Sequence, residues 1–194
     1  MGIKKIQDNN QDKLLLVNRC LVGLGEAPLP EGTITSEFPL GSDIQVISEI
    51  VDETMVEVLN RGWWFNTMFK LTLLPDVNGM ITIPNTVLRL DTGKGLDYII
   101  RDGSLFDMRN KTFKIDTSIV ADVISVVDYS TLPISAYEYV ANRASRKAYA
   151  KLIGATQELE NLKQEEMDAS VSLQRESLQY VDGSLLNIDM NRSY

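Results

Sequence analysis

Histidine is absent from the 194 residues, and cysteine occurs once, as Cys20. Without histidine the chain cannot form a Ser/His/Asp triad, a Cys/His pair or a His-ligated zinc site. A single cysteine cannot close an intramolecular disulfide, which is typical of a protein kept in a reducing compartment. No apolar run approaches the roughly 20 residues that span a membrane, and none near the N-terminus has the form of a signal peptide. We therefore expect a soluble protein without a membrane anchor.

Basic residues are in the minority, since 19 Lys and Arg stand against 27 Asp and Glu for a net charge of −8. An acidic chain repels phosphate backbones, so the composition disfavours nucleic-acid binding through a broad basic face. The length suits one domain, which needs no disulfide or metal at this size. The remaining chemistry is that of carboxylate, lysine, tyrosine and arginine side chains, or of Mg²⁺ held by oxygen ligands.

Two helices are predicted in the first third of the chain. Apolar residues recur at spacings of three and four over 14–24, and Gly25 can end this helix in the left-handed conformation. Ser42-Asp43-Ile44-Gln45 fits a capping box that starts a second helix, which runs over 42–61 and ends at Gly62. The predicted buried stripe of the second helix consists of Ile47, Val51, Met55, Val58 and Leu59.

From residue 63 to about 129, short β-branched and aromatic runs alternate with turn signals, which predicts an antiparallel sheet inserted between helices. Asn78-Gly79 and Asp102-Gly103 favour type I′ hairpins, the first joining 70–74 to 80–83 and the second joining 98–101 to 104–106. Further strands are predicted at 87–90, 112–115 and 120–127. Trp63 follows the Gly62 stop and is predicted to be buried, with a sugar-binding platform of Trp63-Trp64-Phe65 as the alternative.

The helical period returns after Pro133, and one helix runs from there to Gly154. The next helix begins near Thr156 and carries two apolar sets separated by roughly 100° or more around its axis. One interpretation is a bend near Gln164; the other is a helix that touches its own bundle with one set and a partner with the second. The first set is Leu159, Leu162, Ala169 and Leu173; the second, which would face the partner, is Met167, Val171, Leu178 and Val181.

Charge also separates in this C-terminal half. Residues 134–154 carry four basic groups against one acidic group, whereas 155–194 carry eight acidic groups against three basic ones. Pairing within one chain is one explanation, and pairing between neighbouring copies in a ring is the other. The residues assigned to such a subunit interface are Arg143, Arg146 and Lys147 on the basic helix, and Glu165, Glu166 and Asp168 on the acidic helix.

No segment matches a known catalytic or cofactor motif. Gly23-Leu24-Gly25 and Thr92-Gly93-Lys94-Gly95 each lack a glycine that a phosphate-binding loop requires. We therefore assign no catalytic, metal-binding or cofactor-binding residue. Two carboxylates suffice for a glycosidase, so a carboxylate-based glycoside hydrolase acting on host surface polysaccharide stays open as an alternative. A generic helical interaction module is the second alternative.

Five short segments, spread over most of residues 14–154, are more specific in combination than alone. They are 17–28, 59–66, 71–76 together with Ile83-Pro84, 128–133 and 143–149, and they include Arg61-Gly62-Trp63, Leu73-Leu74-Pro75-Asp76, Leu132-Pro133 and Arg143-Ala144-Ser145-Arg146. In this order they resemble the tail tubular protein A family of short-tailed bacteriophages. The resemblance and the helical and strand patterns lead to one fold prediction.

We predict an α+β protein in which 1–62 and 132–194 form an antiparallel helical bundle. A small antiparallel β-sheet insertion occupies 63–131, and the whole is expected to be one compact unit. The resemblance implies a structural virion protein, not an enzyme, and no cofactor.

The resemblance also implies that copies of the chain assemble into a homo-oligomeric ring, which is a dodecamer in this family. The implied partners of this adaptor or gatekeeper are the portal protein on one side and a tail tubular protein B-like nozzle on the other. Double-stranded DNA would pass through the ring during packaging and ejection without sequence-specific binding. The expected location is the virion tail, after assembly in the host cytoplasm.

Overall fold

The computed structural model describes residues 10–93 and 97–190, the side chains of 10, 36 and 181–190 excepted. It contains four α-helices, two short 3-10 turns and five strands in those ranges. The chain divides into two compact units, one of them Leu59–Val127 and the other residues 10–58 together with 128–190. The predicted α+β class is confirmed. That 63–131 behaves as an insertion, and that the chain is one compact unit, stay predictions.

Helix α1 spans Asn10–Gly23, beginning four residues before the predicted start at 14. As predicted, Gly25 stops the helix, and it adopts a φ of +82°. The Glu26 N–H donates to the Leu21 carbonyl at 2.9 Å, and the Gly25 N–H donates to the Val22 carbonyl at 3.0 Å. This pair of hydrogen bonds is the Schellman motif, which satisfies carbonyls that the end of a helix would leave unpaired.

Helix α2 spans Asp43–Leu59, and the whole predicted stripe of five apolar residues is at most 1% exposed. At its start the Ser42 hydroxyl oxygen accepts the Gln45 N–H at 3.2 Å, which is the first half of the predicted capping box. The second half differs, because the Gln45 side chain accepts the N–H of Gly41. The Ser42 N–H instead donates to the Pro39 carbonyl at 3.1 Å, so it needs no partner on Gln45.

Helices α3, Ile134–Leu152, and α4, Gln157–Met190, form an antiparallel pair. Small residues make close approach possible on α3, where Ala136, Ala141, Ala144 and Ala148 are all fully buried. The Gly154 residue between the helices has a φ of +99°. The Thr156 hydroxyl oxygen accepts the Leu159 N–H at 3.4 Å and so caps α4 at the predicted start.

The unit Leu59–Val127 holds the strands β1 Thr67–Leu73, β2 Val87–Asp91, β3 Tyr98–Arg101, β4 Ser104–Asp107 and β5 Ile119–Ser125. One antiparallel sheet has the order β1-β5-β2, and β3 and β4 form a separate hairpin. The Asp102-Gly103 hairpin is confirmed, since both residues have positive φ, +50° and +72°. The core of the unit consists of Ile81, Ile83, Val87, Leu105, Ile115, Ile119, Ala121 and Val123.

The prediction of a hairpin at Asn78-Gly79 is wrong. Strand β1 pairs with β5, and residues 80–83 form no strand but a single bridge from Thr82 to Ser104. The Asp76 carboxylate accepts the N–H groups of Asn78 and Met80, each at 2.8 Å, and so builds the turn itself. The predicted strand at 112–115 is also wrong, because Thr112 makes only an isolated bridge to Asp107.

Trp63 is buried as predicted, with 7% of its surface exposed. Its backbone N–H donates to the Asn66 side-chain oxygen at 2.8 Å. The Asn66 side-chain amide donates to the carbonyls of Leu59 and Ser125, each at 2.9 Å. One buried asparagine therefore fixes the turn that begins this unit and ties it to strand β5.

None of the described helices is both long enough and apolar enough to cross a membrane.

Candidate functional site

The basic residues of α3 and the acidic residues of α2 and α4 form one cluster of ion pairs within a single chain, which we call the α3 charge cluster. Arg143 and Arg146 both bind Glu166, the former through Nη1 to Oε1 at 2.6 Å and the latter through Nε to Oε2. Arg143 also reaches Glu57 at 3.0 Å, and Lys147 reaches the other oxygen of Glu57 at 2.6 Å. Two carboxylates thus hold three cations.

Helix periodicity explains why these cations meet. Positions 143, 146 and 147 are spaced by three and four residues, so their side chains share one face of α3. Only 13% of the Glu166 side chain is exposed, against 46% for Glu57. The Glu166 contacts are therefore poorly screened by solvent, whereas the Glu57 contacts resemble surface pairs that contribute little each.

The charges shift pKa values in the expected directions. Partial burial raises the pKa of the Glu57 carboxyl, but hydrogen bonds from Lys147 and Arg143 outweigh it and leave the pKa below its ordinary value. Burial likewise lowers the pKa of Arg143, and the hydrogen bonds to Glu57 and Glu166 raise it above its ordinary value overall. Both groups are held in their charged forms.

The structure brings together four of the six charged residues assigned to the subunit interface, and it does so inside one chain. Glu165 and Asp168 are exposed and lie outside the cluster, and Asp168 accepts a hydrogen bond from Gln164 at 2.9 Å. This is the intramolecular pairing that the sequence left open. A role for these six residues between subunits stays a prediction.

Glu57 was missed by sequence reasoning. It lies on α2, about 90 residues before its partners, and no local pattern distinguishes it from the other acidic residues of that helix. A second network was missed for the same reason: the Asp52 carboxylate binds Lys13 Nζ at 2.8 Å and accepts the Tyr129 hydroxyl at 2.6 Å. It ties α1 and α2 to the 3-10 turn that precedes α3.

Helix α4 has the two predicted apolar faces. Leu159, Leu162 and Leu173 are 9%, 6% and 0% exposed. In contrast, Met167, Val171 and Leu178 are 59%, 41% and 60% exposed, although they belong to the same helix. The helix runs without interruption from Gln157 to Met190, and a bend near Gln164 stays a prediction.

The second set therefore remains as an uncovered apolar face, which we call the outer face of α4. Its fourth member, Val181, has a side chain outside the described part of the chain. An exposed row of large apolar side chains is the usual mark of a surface that binds another protein.

The remaining chemistry is limited in the described residues. Within 10–93 and 97–190, no three Cys, Asp or Glu side chains are grouped so that they could hold a metal ion. Cys20 is buried, which raises the pKa of its thiol to about 11 and makes the thiolate scarce at neutral pH.

Residues 14–181 match the tail tubular protein family. The chain belongs to this family. A region of 109 residues is also 28% identical to tail tubular protein A of Klebsiella phage KP34, and it covers 56% of this chain and 58% of that relative. The resemblance seen in the sequence is confirmed. The chain is thus a structural protein of a bacteriophage tail.

Proposed function

We propose that the chain is a ring-forming adaptor that joins the portal to the tail nozzle and lines the channel through which DNA passes. Membership of the tail tubular protein family supports this role. The observation that carries it is the outer face of α4, because a structural protein with an uncovered apolar helix face needs a partner to cover it. Assembly would take place in the host cytoplasm, and the product would reside in the virion tail.

The negative net charge of the chain supports a role in lining the DNA channel. The chain carries a net charge of −8, so a ring built from many copies repels the phosphate backbone of passing DNA. DNA can then slide through the lumen instead of adhering to it, and no base-specific contact is needed.

The subunit interface is proposed on the exposed members of α4. Met167, Val171 and Leu178 supply apolar area, and the exposed Glu165 and Asp168 flank it. The α3 charge cluster supports this interface indirectly. It holds α4 to α3, and α3 to α2, and so fixes the direction in which the outer face of α4 points. Direct pairing of Arg143, Arg146, Lys147 and Glu166 with a neighbouring copy is kept as a prediction that competes with their pairing within the chain.

The test is the mass of the purified full-length protein alone and after mixing with portal, followed by imaging of the particles. We expect a ring, or a small oligomer that becomes a ring on the portal. A monomer that neither oligomerises nor binds portal would contradict the adaptor and favour the generic interaction module. A mixture with double-stranded DNA should show no sequence preference.

We also propose that the chain is not an enzyme. Among the described carboxyl groups with shifted pKa values, Glu57, Asp76 and Asp107, every shift is downward. A glycosidase needs a general acid whose pKa is raised, so none of these three favours the hydrolase alternative. Release of sugar from capsule or peptidoglycan, abolished by one Asp→Ala or Glu→Ala substitution, would overturn this proposal.

A further inference from the structure

An apolar cleft of about 500 Å³ lies where the end of α1, the start of α2 and the end of α3 meet, and we call it the α1 cleft. Clefts of this size hold a small molecule or a few side chains of a peptide. The α1 cleft shares no residue with the outer face of α4 or with the α3 charge cluster, so neither of those features accounts for it. Its apolar lining includes Leu21, Leu24, Leu29, Ile47 and Leu152.

The α1 cleft is acidic. Among the described residues that line it, Glu26 and Asp43 carry a charge, and neither forms an ion pair within the described part of the chain. The sequence explains the lack of a nearby cation, because residues 20–60 contain eight Asp and Glu and no Lys or Arg. An occupant that brings apolar side chains and positive charge therefore complements both the lining and its two carboxylates.

Residues 1–9, which precede α1 and lie outside the described residues, carry this combination. They include Ile3-Lys4-Lys5-Ile6, in which two lysines lie between two isoleucines. The other stretches outside the described ranges do not match, since 94–96 and 191–194 contain one cation each. Residues 3–6 are therefore the segment of this chain whose chemistry fits the cleft.

The segment cannot fill the cleft of its own chain. Helix α1 begins at Asn10 and has 14 residues, so it is about 21 Å long, and the cleft lies at its far end. Ile6 is four residues before Asn10, and four extended residues span at most about 14 Å. The two isoleucines therefore cannot both enter the cleft of the same chain, whereas the segment of another copy is free of this limit.

We propose that residues 3–6 of one copy bind the α1 cleft of a neighbouring copy. The isoleucines pack on the apolar lining, and Lys4 and Lys5 pair with Glu26 and Asp43. This contact joins one patch to a different patch, so it repeats from copy to copy and closes into a ring when the rotation permits. The proposal rests on the ring of the proposed function, and it adds to the contact of α4 a second contact made by different residues.

The first test places two cysteines in the full-length chain, Ile3→Cys and Ala27→Cys, under the conditions in which the wild type assembles. Ala27 is exposed and lines the cleft, and the native Cys20 is fully buried. With a mild oxidant, exchange between copies links each chain to the next and gives a ladder of multiples of 21.8 kDa. Ile3→Cys with Val22→Cys is the matched control, because Val22 is 58% exposed but does not line the cleft.

The outcomes separate this proposal from the ring itself. An oxidised monomer would show that the segment binds its own chain, and rings in which the two cysteine pairs link equally would show that it binds elsewhere. Either result would overturn the exchange and leave the ring in place. A wild type that stays monomeric alone and with portal would overturn the proposed function and the exchange with it.

The second test asks whether charge selects the occupant. In the Ile3→Cys, Ala27→Cys chain, Lys4→Glu with Lys5→Glu turns attraction to the two carboxylates into repulsion, and we expect about tenfold less cross-linking. Lys111→Glu with Lys114→Glu makes the same change of net charge at exposed positions in the other unit and should leave cross-linking unchanged. Equal cross-linking in the two charge variants would overturn the pairing of Lys4 and Lys5 with the cleft.

Discussion

Glu166→Gln tests whether the α3 charge cluster stabilises the single chain. The substitution keeps the size of the side chain and removes the charge that Arg143 and Arg146 share. One amide oxygen can still accept a hydrogen bond, but the amide nitrogen faces a guanidinium and can accept none. At least one charge-assisted hydrogen bond is therefore lost, and a cation is left without its partner.

The magnitude follows from burial. Exposed ion pairs contribute about 0–1 kcal/mol, and removal of one partner from a fully buried pair costs about 3–5 kcal/mol. The Glu166, Arg143 and Arg146 side chains are 13%, 22% and 23% exposed, so this site lies between those limits. Since Arg143 keeps its contact with Glu57, we expect a loss of about 2 kcal/mol in the free energy of unfolding. For a chain of this length that lowers Tm by about 4–8 °C.

Urea unfolding, followed by far-ultraviolet circular dichroism at low protein concentration, measures this loss. Glu165→Gln is the matched control, because the neighbouring residue is exposed and lies outside the cluster, and it should stay within about 0.5 kcal/mol of the wild type. If Glu166 instead served a contact between subunits, Glu166→Gln would unfold at the wild-type urea midpoint and lose only assembly. That result would refute the intramolecular assignment and restore the interface.

Three further outcomes are expected. Trp63→Ala should cost about 3–5 kcal/mol in urea unfolding, since the side chain is 7% exposed; an unchanged midpoint would favour the sugar-platform alternative. Gly62→Ala should lower the free energy of unfolding by about 1 kcal/mol more than Gly25→Ala does. Both glycines have positive φ, but only at Gly62 would a Cβ lie 2.5 Å from an Ile124 atom, and equal losses would contradict this steric reason. The lowered pKa of Glu57 gives stability that is full above about pH 5 and falls as pH drops through the folded pKa, so acid titration of stability should be shallower in Glu57→Gln than in the wild type.

Features that depend on a few neighbouring residues could be predicted from the sequence. The ends of α1 and α2 follow from Gly25 and Gly62, and the Asp102-Gly103 hairpin follows from its two turn residues. The buried stripe of α2 and the two faces of α4 follow from helical periodicity. The family resemblance rests on short local segments for the same reason.

The partners of those elements were decided only in the tertiary structure. Asn78-Gly79 looked like a hairpin, yet β1 pairs with β5 some 50 residues away. The Asp76 carboxylate forms the turn instead, and Lys70 donates its N–H to Asp122 across a bulge in β1. In the same way, the basic face of α3 was visible in the sequence, and its partner Glu57 was not. The period along the chain determines which side of a helix or strand is apolar or charged. Which distant side chain contacts that side depends on how the loops place the elements, and local spacing does not show this.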